Sequence, residues 1–118
     1  MKILLLSLYF FLCFLIKTPA QSFTQTGKAT FYAKSLNGNR TANGEKLDNK
    51  KLTAAHRKLP FGTKVKVTNL SNKKMVIVRI TDRGPFKNGY IIDLTQSAAK
   101  AIGMIEQGIA KVKIEVVK

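Results

Sequence analysis

The sequence predicts an all-β fold of about six short strands and one short helix, arranged as a barrel or a sandwich. Three observations support this. Apolar and polar residues alternate in several short segments, turn dipeptides separate these segments, and the sequence has no heptads, internal repeats or low-complexity stretches. Closure into a barrel removes exposed strand edges, which benefits a secreted domain that has no disulfide bond.

A long polar loop dominates the first half of the predicted domain. The segments, in order, are a polar lead-in at 21–26, a strand at 28–33, a loop at 34–51 and a short apolar segment at 52–55. The loop contains Asn37-Gly38 and Asn43-Gly44, which favour turns because Asn and Gly tolerate positive φ. Ordered loops of this length usually carry function.

The second half contains clearer periodicity. Its predicted elements are strands at 63–69, 74–81, 90–94 and 109–117 and a helix at 96–102. In the first of these strands Val65 and Val67 alternate with polar residues, which is typical of a half-exposed strand. Thr95 is the expected N-cap of the helix and Gly103 its terminator.

The first 20 residues are typical of a secretory signal peptide, with the domain at 21–118. A short positive start precedes 14 mostly apolar residues, and Thr18-Pro19-Ala20 supplies the small residues of a cleavage site. The apolar run is short for a bilayer, which needs roughly 20 residues, so an uncleaved anchor is the less favoured alternative. Bulky residues precede Cys13, which disfavours lipidation there. We therefore expect an exported protein of the periplasm or cell envelope.

The chain is strongly basic, with a formal net charge of +15. Removing residues 1–20 takes away two of the 21 lysines and arginines and none of the six acids, which leaves +13. Such a charge attracts polyanions. We expect no nucleic acid partner, because an exported protein meets the anionic envelope first, and we expect peripheral envelope contact and a monomer.

Four residues that can titrate near neutral or acidic pH lie beside turns or loops: Glu45, His56, Asp82 and Asp93. Asp82 ends an apolar strand, where burial and the neighbouring Arg83 can tune its ionisation, although a turn-forming role is the alternative. For Asp93 the alternative is helix capping. Asp48, Glu106 and Glu115 are expected at the surface.

No metal site and no cofactor are predicted. The mature chain has one histidine, no cysteine and scattered acids, which is a weak pattern for metal binding. A Gly-x-Ser-x-Gly elbow and a phosphate-binding glycine loop are also absent from the sequence.

Six sequence blocks resemble, in order, those of the RlpA family (rare lipoprotein A, lytic transglycosylase-like). They are Gly27-x-Ala29-x-Phe31-Tyr32, Thr41-Ala42-Asn43-Gly44-Glu45, Leu52-Thr53-Ala54-Ala55-His56, Leu59-Pro60-Phe61-Gly62-Thr63, Asp82-Arg83-Gly84-Pro85-Phe86 and Ile91-Ile92-Asp93-Leu94-Thr95. Each block alone is weak, but six in register are specific. Phe31 departs from the family, which often has Trp there, and Tyr90 stands where Arg is frequent.

The resemblance implies a six-stranded double-psi β-barrel related to expansins, acting on peptidoglycan glycan strands. It implies Glu45, His56 and Asp82 as active-site candidates, and the wider expansin-like comparison adds Asp93. Residues expected to line the substrate groove are Tyr32, Thr41, Asn43 and Arg83.

The activity implied is lytic transglycosylation of peptide-stripped glycan, with a 1,6-anhydro end as product. Our working hypothesis makes Asp82 the acid and base, with Glu45 and Asp93 as alternatives, His56 orienting the acid and Arg83 holding sugar oxygens. Two other functions stay open: an expansin-like glycan-binding or wall-loosening module without catalysis, and a cationic binder of nucleic acid or membrane surfaces.

Overall fold

A computed structural model describes residues 23–118 as a closed six-stranded β-barrel with one short helix. The elements are β1 (Thr24–Phe31), a 3₁₀ turn (Lys34–Leu36), β2 (Thr53–Ala55), β3 (Lys64–Asn69), β4 (Met75–Asp82), β5 (Tyr90–Leu94), α1 (Gln96–Ala101) and β6 (Ala110–Val116). This confirms the predicted six-stranded barrel with one helix. The predicted signal peptide and Cys13 lie outside the described residues.

The strands follow the order β1-β5-β2-β4-β3-β6 around the barrel. The pairs β1–β5 and β2–β4 are parallel, and the other four pairs are antiparallel. As a result β5 inserts between β1 and β2, which are neighbours in sequence. This order brings the ends of β1, β5, β2 and β4 together on one side of the barrel.

The barrel interior is filled by the branched apolar residues that the strand periodicity predicts. Fully buried side chains are Val65, Val67, Val78, Ile80, Ile92, Leu94, Val112 and Ile114, with Ile102 and Met104 closing one side. The small residues Ala98 and Ala99 let α1 pack closely against this core. Burying these side chains supplies the main stabilisation of a domain of this size.

The N-terminus of α1 has a partner for each of its four free N–H groups. Gln96 N and Ser97 N donate to the side chain and the carbonyl of Asn49, at 3.0 Å each. Ala98 N donates to Thr95 Oγ1 at 3.4 Å, which confirms the predicted N-cap, and Thr95 N donates to the Thr53 carbonyl at 3.1 Å. The long loop therefore anchors the helix through Asn49.

The main difference from the sequence-based elements is in β1. It begins at Thr24, whereas residues 21–26 were predicted as a lead-in before a strand at 28–33. The residues from Thr24 to Lys28 pair with β6 although their alternation is weak, because the tertiary pairing supplies the hydrogen bonds.

Gly27 permits the close approach of β1 and β5. A Cβ atom added at this position would lie 2.6 Å from Cγ2 of Ile91 and 3.2 Å from the Gly89 carbonyl oxygen. No helix among residues 23–118 is long and apolar enough to cross a membrane.

Candidate active site

Two carboxylates flank the short central strand β2 at the side where β1, β5, β2 and β4 meet. Ala55 is the register partner of Asp82 on β4 and of Asp93 on β5. Two strand spacings separate the backbones of the two acids, a distance of about 10 Å. The fold therefore brings together two acids that are eleven residues apart in the sequence and on different strands.

The Asp82 carboxylate is held by three hydrogen-bond donors. Its Oδ2 accepts from the Tyr32 hydroxyl at 2.7 Å, and its Oδ1 accepts from the main-chain N–H groups of Ala42 at 2.8 Å and Arg83 at 2.9 Å. The contact with Arg83 N–H is the local turn contact that the sequence suggested as an alternative. The other two contacts come from the residue after β1 and from the long loop, and they fix the carboxylate in one orientation.

Tyr32 holds Asp82 through its hydroxyl. Its ring forms a small apolar cluster with Ala55 and Leu47, separate from the barrel core, and its hydroxyl reaches across β2 to Asp82. Burial raises the pKa of the Tyr32 phenol far above its ordinary value, and the hydrogen bond to Asp82 and the charges of Asp82 and Asp93 raise it further. The phenol therefore stays protonated and keeps donating its hydrogen bond.

Asp93 lies in a less polar environment than Asp82. Burial raises the pKa of its carboxyl above the ordinary value, and the charge of Asp82 adds to this rise, while a hydrogen bond from Thr30 Oγ1 at 2.9 Å opposes it. Helix capping, the suggested alternative role, is carried out by Thr95 instead. Asp93 therefore keeps its proton to higher pH than an ordinary aspartate.

Glu45 is exposed and bound to Arg79 on β4. The two guanidinium nitrogens of Arg79 lie 2.8 and 2.9 Å from the two carboxylate oxygens, and the Asn43 amide donates at 2.6 Å. These hydrogen bonds, first that of Arg79 and then that of Asn43, lower the pKa of Glu45 to about 2. Glu45 is thus ionised at neutral pH, and it fastens the long loop to β4.

Thr41 and Asn43 shape this loop next to Asp82. The Thr41 hydroxyl donates to Asn43 Oδ1 at 2.8 Å, and Asn43 Oδ1 also accepts from Glu45 N–H at 3.0 Å. Asn43 N–H donates to the Thr81 carbonyl at 3.1 Å. Thr41 lines a hollow of about 140 Å³ together with Tyr32 and Asp82, so it is placed to contact a ligand there.

The His56 side chain lies away from both acids. Its Nδ1 accepts from the N–H groups of Lys58 at 3.1 Å and Leu59 at 3.2 Å, which assigns the ring proton to Nε2, and Nε2–H donates to Gln25 Oε1 at 2.9 Å. Burial lowers the pKa of the imidazole, and the positive charges of Arg83 and Arg57 lower it further. His56 is therefore neutral at pH 7, with both ring nitrogens engaged.

Arg83 is bound to the main chain. Its Nη1 donates to the carbonyls of His56 at 3.1 Å and Leu59 at 2.8 Å, and its guanidinium stacks on the Phe61 ring at 4.0 Å. Among residues 23–118 it forms no ion pair with Asp82. Its direct contact with Asp82 is made by its backbone N–H.

The predicted site residues therefore fall into two groups. In the first group, Tyr32, Thr41 and Asp82 line the hollow, Asp93 lies across Ala55 from Asp82, and Asn43 and Glu45 lie on the adjacent loop. In the second group, the His56 side chain lines a separate cavity, and the Arg83 guanidinium binds the carbonyls of His56 and Leu59. Within the described part of the chain, no three His, Cys, Asp or Glu side chains gather closely enough to hold a metal ion.

Sequence reasoning missed Thr30 and Arg79, the partners of Asp93 and Glu45. Arg79 alternates with the buried Val78 and Ile80, so its exposure on the outer face could have been inferred. Its pairing with a loop glutamate 34 residues away leaves no local signal. Of the three remaining acids, Glu106 is exposed, Asp48 is partly buried and Glu115 lies 3.6 Å from Lys66.

Comparison with known proteins gives a family and close relatives. Residues 24–114 match the family described as lytic transglycolase. A probable endolytic peptidoglycan transglycosylase RlpA of Synechocystis is 53% identical over 92 residues, which is 78% of this chain and 29% of that protein. The endolytic peptidoglycan transglycosylase RlpA of Vibrio cholerae is 50% identical over 103 residues, 87% of this chain and 39% of that protein. The chain thus spans about 30–40% of the length of these relatives.

Solved structures share the fold at low sequence identity. A Streptomyces papain inhibitor has a TM-score of 0.65 at 22% identity, covering 81% of this chain and 96% of that chain. An expansin of Clavibacter michiganensis has a TM-score of 0.64 at 24% identity, covering 81% of this chain and 51% of that chain. With the family match, these neighbours confirm the double-psi β-barrel.

Proposed function

The chain belongs to the lytic transglycolase family, and we propose that it cleaves the β-1,4 bond between N-acetylmuramic acid and N-acetylglucosamine in peptidoglycan. The preferred substrate is glycan from which the stem peptides have been removed. The observation that carries the proposal is the pair of acids on either side of Ala55, one partly buried with a raised pKa and the other held by three donors.

Asp93 is the general acid in this proposal. Its raised pKa leaves a proton to donate to the leaving oxygen as the C1–O4 bond breaks. The 6-hydroxyl of the same muramic acid then attacks C1, and Asp93 accepts the hydroxyl proton, which yields the 1,6-anhydro end. Because the nucleophile is internal, one acid that returns to its starting state is sufficient.

Asp82 supports this reaction as a fixed carboxylate. Glycosidic bond cleavage passes through an oxocarbenium-like transition state, which a correctly placed negative charge stabilises. The donors from Tyr32, Ala42 and Arg83 hold Asp82 in place without reorganisation. This reverses our sequence-based order, in which Asp82 was the leading proton donor.

The other predicted residues receive positioning or binding roles. The low pKa of Glu45 rules out proton donation at neutral pH, so Glu45 instead keeps the loop against β4 through Arg79. Thr41 is proposed to contact sugar at the hollow beside Asp82, and Asn43, which binds the Thr41 hydroxyl, is proposed to contact sugar next to it. His56 and Arg83 organise the turn behind Asp82.

Export to the cell envelope is part of the proposal. The basic charge favours peripheral contact with the anionic envelope. A closed barrel offers no free strand edge for pairing, which supports a monomer.

The direct test is digestion of peptide-stripped peptidoglycan by the full-length chain, purified after any processing. We expect 1,6-anhydro products by mass spectrometry, and Asp93→Asn is expected to lower their rate of release about 10²–10⁴-fold. Glu106→Gln changes an exposed acid and serves as the matched control.

Other outcomes would favour the alternative functions. One fold neighbour is an expansin described in complex with cellohexaose. Saturable glycan binding without anhydro products would point to such a binding module. Complete loss of wall binding at moderate salt, with no saturable component, would indicate a purely cationic binder.

A further inference from the structure

A cavity of about 560 Å³ lies beside His56, and neither Asp82 nor Asp93 lines it. Its walls come from the start of β1, the start of β5 and the turn after β2, and include Phe23, Gln25, Leu59 and Tyr90. It shares no lining residue with the hollow beside Asp82. Its volume is in the range of cavities that bind small molecules.

Four cationic side chains lie in or beside this cavity. Arg57 and Lys58 line it, and the ammonium groups of Lys28 and Lys87 lie 5.5 and 5.2 Å from the centroid of the Tyr90 ring. Lys28 also lies directly opposite Lys111 on β6. Like charges in opposed strand positions are unfavourable unless something relieves them.

No carboxylate of the described part of the chain neutralises these cations. The ion pairs within 4.0 Å among residues 23–118 are Lys66–Glu115 and Arg79–Glu45, neither of which involves the cavity. Within residues 23–118, the Arg57 guanidinium donates to the main-chain carbonyls of Pro85, Lys87 and Tyr90. The charge of the site is therefore complementary to an anion.

The cavity walls are largely apolar. Phe23, Leu59, Tyr90 and Ile91 contribute apolar surface, and 43% of the Phe23 side chain is exposed. Aromatic and aliphatic walls accept the C–H face of a sugar ring, and cations at the rim accept a carboxylate. The combination fits a compact sugar that carries one carboxylate.

We infer that this cavity is a second saccharide site, which binds N-acetylmuramic acid through the free carboxylate of its lactyl group. The inference rests on the proposed function, which supplies a muramic acid-containing substrate. In peptide-bearing glycan the lactyl carboxyl is an uncharged amide, whereas removal of the stem peptide frees it as an anion. A cationic site that recognises this anion gives the protein a physical basis for preferring peptide-stripped glycan.

The test compares two sugars that differ by the lactyl group. N-acetylmuramic acid and N-acetylglucosamine are titrated separately into the full-length chain, and the amide chemical shifts of residues 25, 56–59 and 89–91 are followed by NMR. We expect N-acetylmuramic acid to shift these signals saturably and N-acetylglucosamine to leave them in place at the same concentration. Equal shifts by both sugars, or shifts by N-acetylmuramic acid confined to the residues around Asp82 and Asp93, would overturn the inference.

Neutralising the rim gives a second measurement. The triple substitution of Lys28, Lys58 and Lys87 to Gln changes only exposed side chains. It should raise the dissociation constant for N-acetylmuramic acid about tenfold, because the free energies of three exposed charge contacts of ordinary strength add up to that factor. The matched triple substitution of Lys50, Lys74 and Lys100 to Gln removes the same charge elsewhere and should change it less than twofold. Equal effects of the two triple variants would show nonspecific attraction and refute the site.

A third ligand distinguishes recognition of the lactyl carboxylate from recognition of a carboxylate on the stem peptide. N-acetylmuramyl-L-alanyl-D-isoglutamine has its lactyl carboxyl in an amide bond and carries its free carboxylate on the peptide. We expect it to bind the cavity more weakly than N-acetylmuramic acid; equal or tighter binding would assign the site to stem peptides and reject the lactyl group.

Failure of this inference and failure of the proposed function give different results. Asp93→Asn removes the proposed acid but no cavity residue, so it should keep the N-acetylmuramic acid shifts while losing anhydro-product release. If the wild-type chain releases anhydro products but N-acetylmuramic acid leaves the cavity signals unchanged, the cavity assignment alone is wrong.

Discussion

Substitution of Tyr32 by Phe removes one hydroxyl from the centre of the site. The hydroxyl donates to Asp82 Oδ2 at 2.7 Å, and the ring packs against Ala55 and Leu47. Phenylalanine keeps that ring packing, so the barrel should still fold. The substitution therefore isolates the hydrogen bond between Tyr32 and Asp82 at the end of β4.

The size of the effect follows from the contacts of Asp82. A hydrogen bond to a charged group contributes about 1.5–3 kcal/mol, and Oδ1 keeps its two main-chain donors from Ala42 and Arg83 in the variant. We therefore expect a loss near the lower end, about 1.5 kcal/mol in the free energy of unfolding. If the same bond holds Asp82 in the transition state, kcat should fall about tenfold with little change in KM.

The assay is a double-mutant cycle by urea unfolding of the wild type, Tyr32→Phe, Asp82→Ala and the double variant. Direct contact predicts a coupling energy of about 1.5 kcal/mol between Tyr32 and Asp82. A coupling energy below about 0.5 kcal/mol, the usual value for independent sites, would refute the reasoning.

High pH provides an independent check on the same residue. The phenol pKa is raised in the folded chain above its ordinary value of 10.0, so the unfolded state loses this proton first. The stabilisation from Tyr32 is complete below pH 10 and is lost as the pH rises further. The stability difference between the wild type and Tyr32→Phe should therefore shrink above about pH 10, and a constant difference would contradict this account.

Three further substitutions test the site and the fold. Asp93→Asn should lower activity and yet raise Tm at pH 7. The carboxyl pKa is raised in the folded state, so the stability of the wild type falls as the pH rises from the ordinary pKa of 3.8 through the raised pKa. The gain in Tm should therefore vanish near pH 3. Glu45→Gln and Arg79→Gln should each lower kcat/KM by a similar factor, about tenfold. The double variant should be no worse than either single variant, because both substitutions break the same ion pair. Additive losses in kinetic assays would contradict this. Gly27→Ala should cost about 1–3 kcal/mol in urea unfolding, because its Cβ would meet Ile91 at 2.6 Å, and a neutral result would show that β5 can shift.

The strands and the helix could largely be predicted from local patterns. Alternation of Val65 and Val67, and of Val78 and Ile80, located β3 and β4 because each strand buries one face in the barrel. The Thr95 cap located α1. Pattern alone could not give the strand order, because the pairing of β5 with both β1 and β2 depends on contacts distant in the sequence.

The sequence identified the residues of the candidate site better than it identified their roles. The resemblance selected Asp82 and Asp93, but their different environments depend on Thr30, Tyr32 and Ala42, which reach them from other segments. Sequence proximity suggested that the Arg83 charge would act on Asp82, whereas in the fold the guanidinium binds the carbonyls of His56 and Leu59. Roles that depend on side-chain direction at a strand end require the fold.

The ring of His56 binds the main chain of the following turn, and this turn connects His56 to Asp82. Its Nδ1 accepts two N–H groups of the turn that follows β2, and this turn presents the carbonyls of His56 and Leu59 to the Arg83 guanidinium. Arg83 in turn donates its own N–H to Asp82. Neutral histidine provides both the acceptor at Nδ1 and the donor at Nε2, which faces Gln25. Burial and the nearby arginines keep the ring neutral. His56 thus acts as a positioning residue, so its loss should displace Asp82 rather than remove a proton carrier, and the pH dependence of the remaining activity should keep its shape.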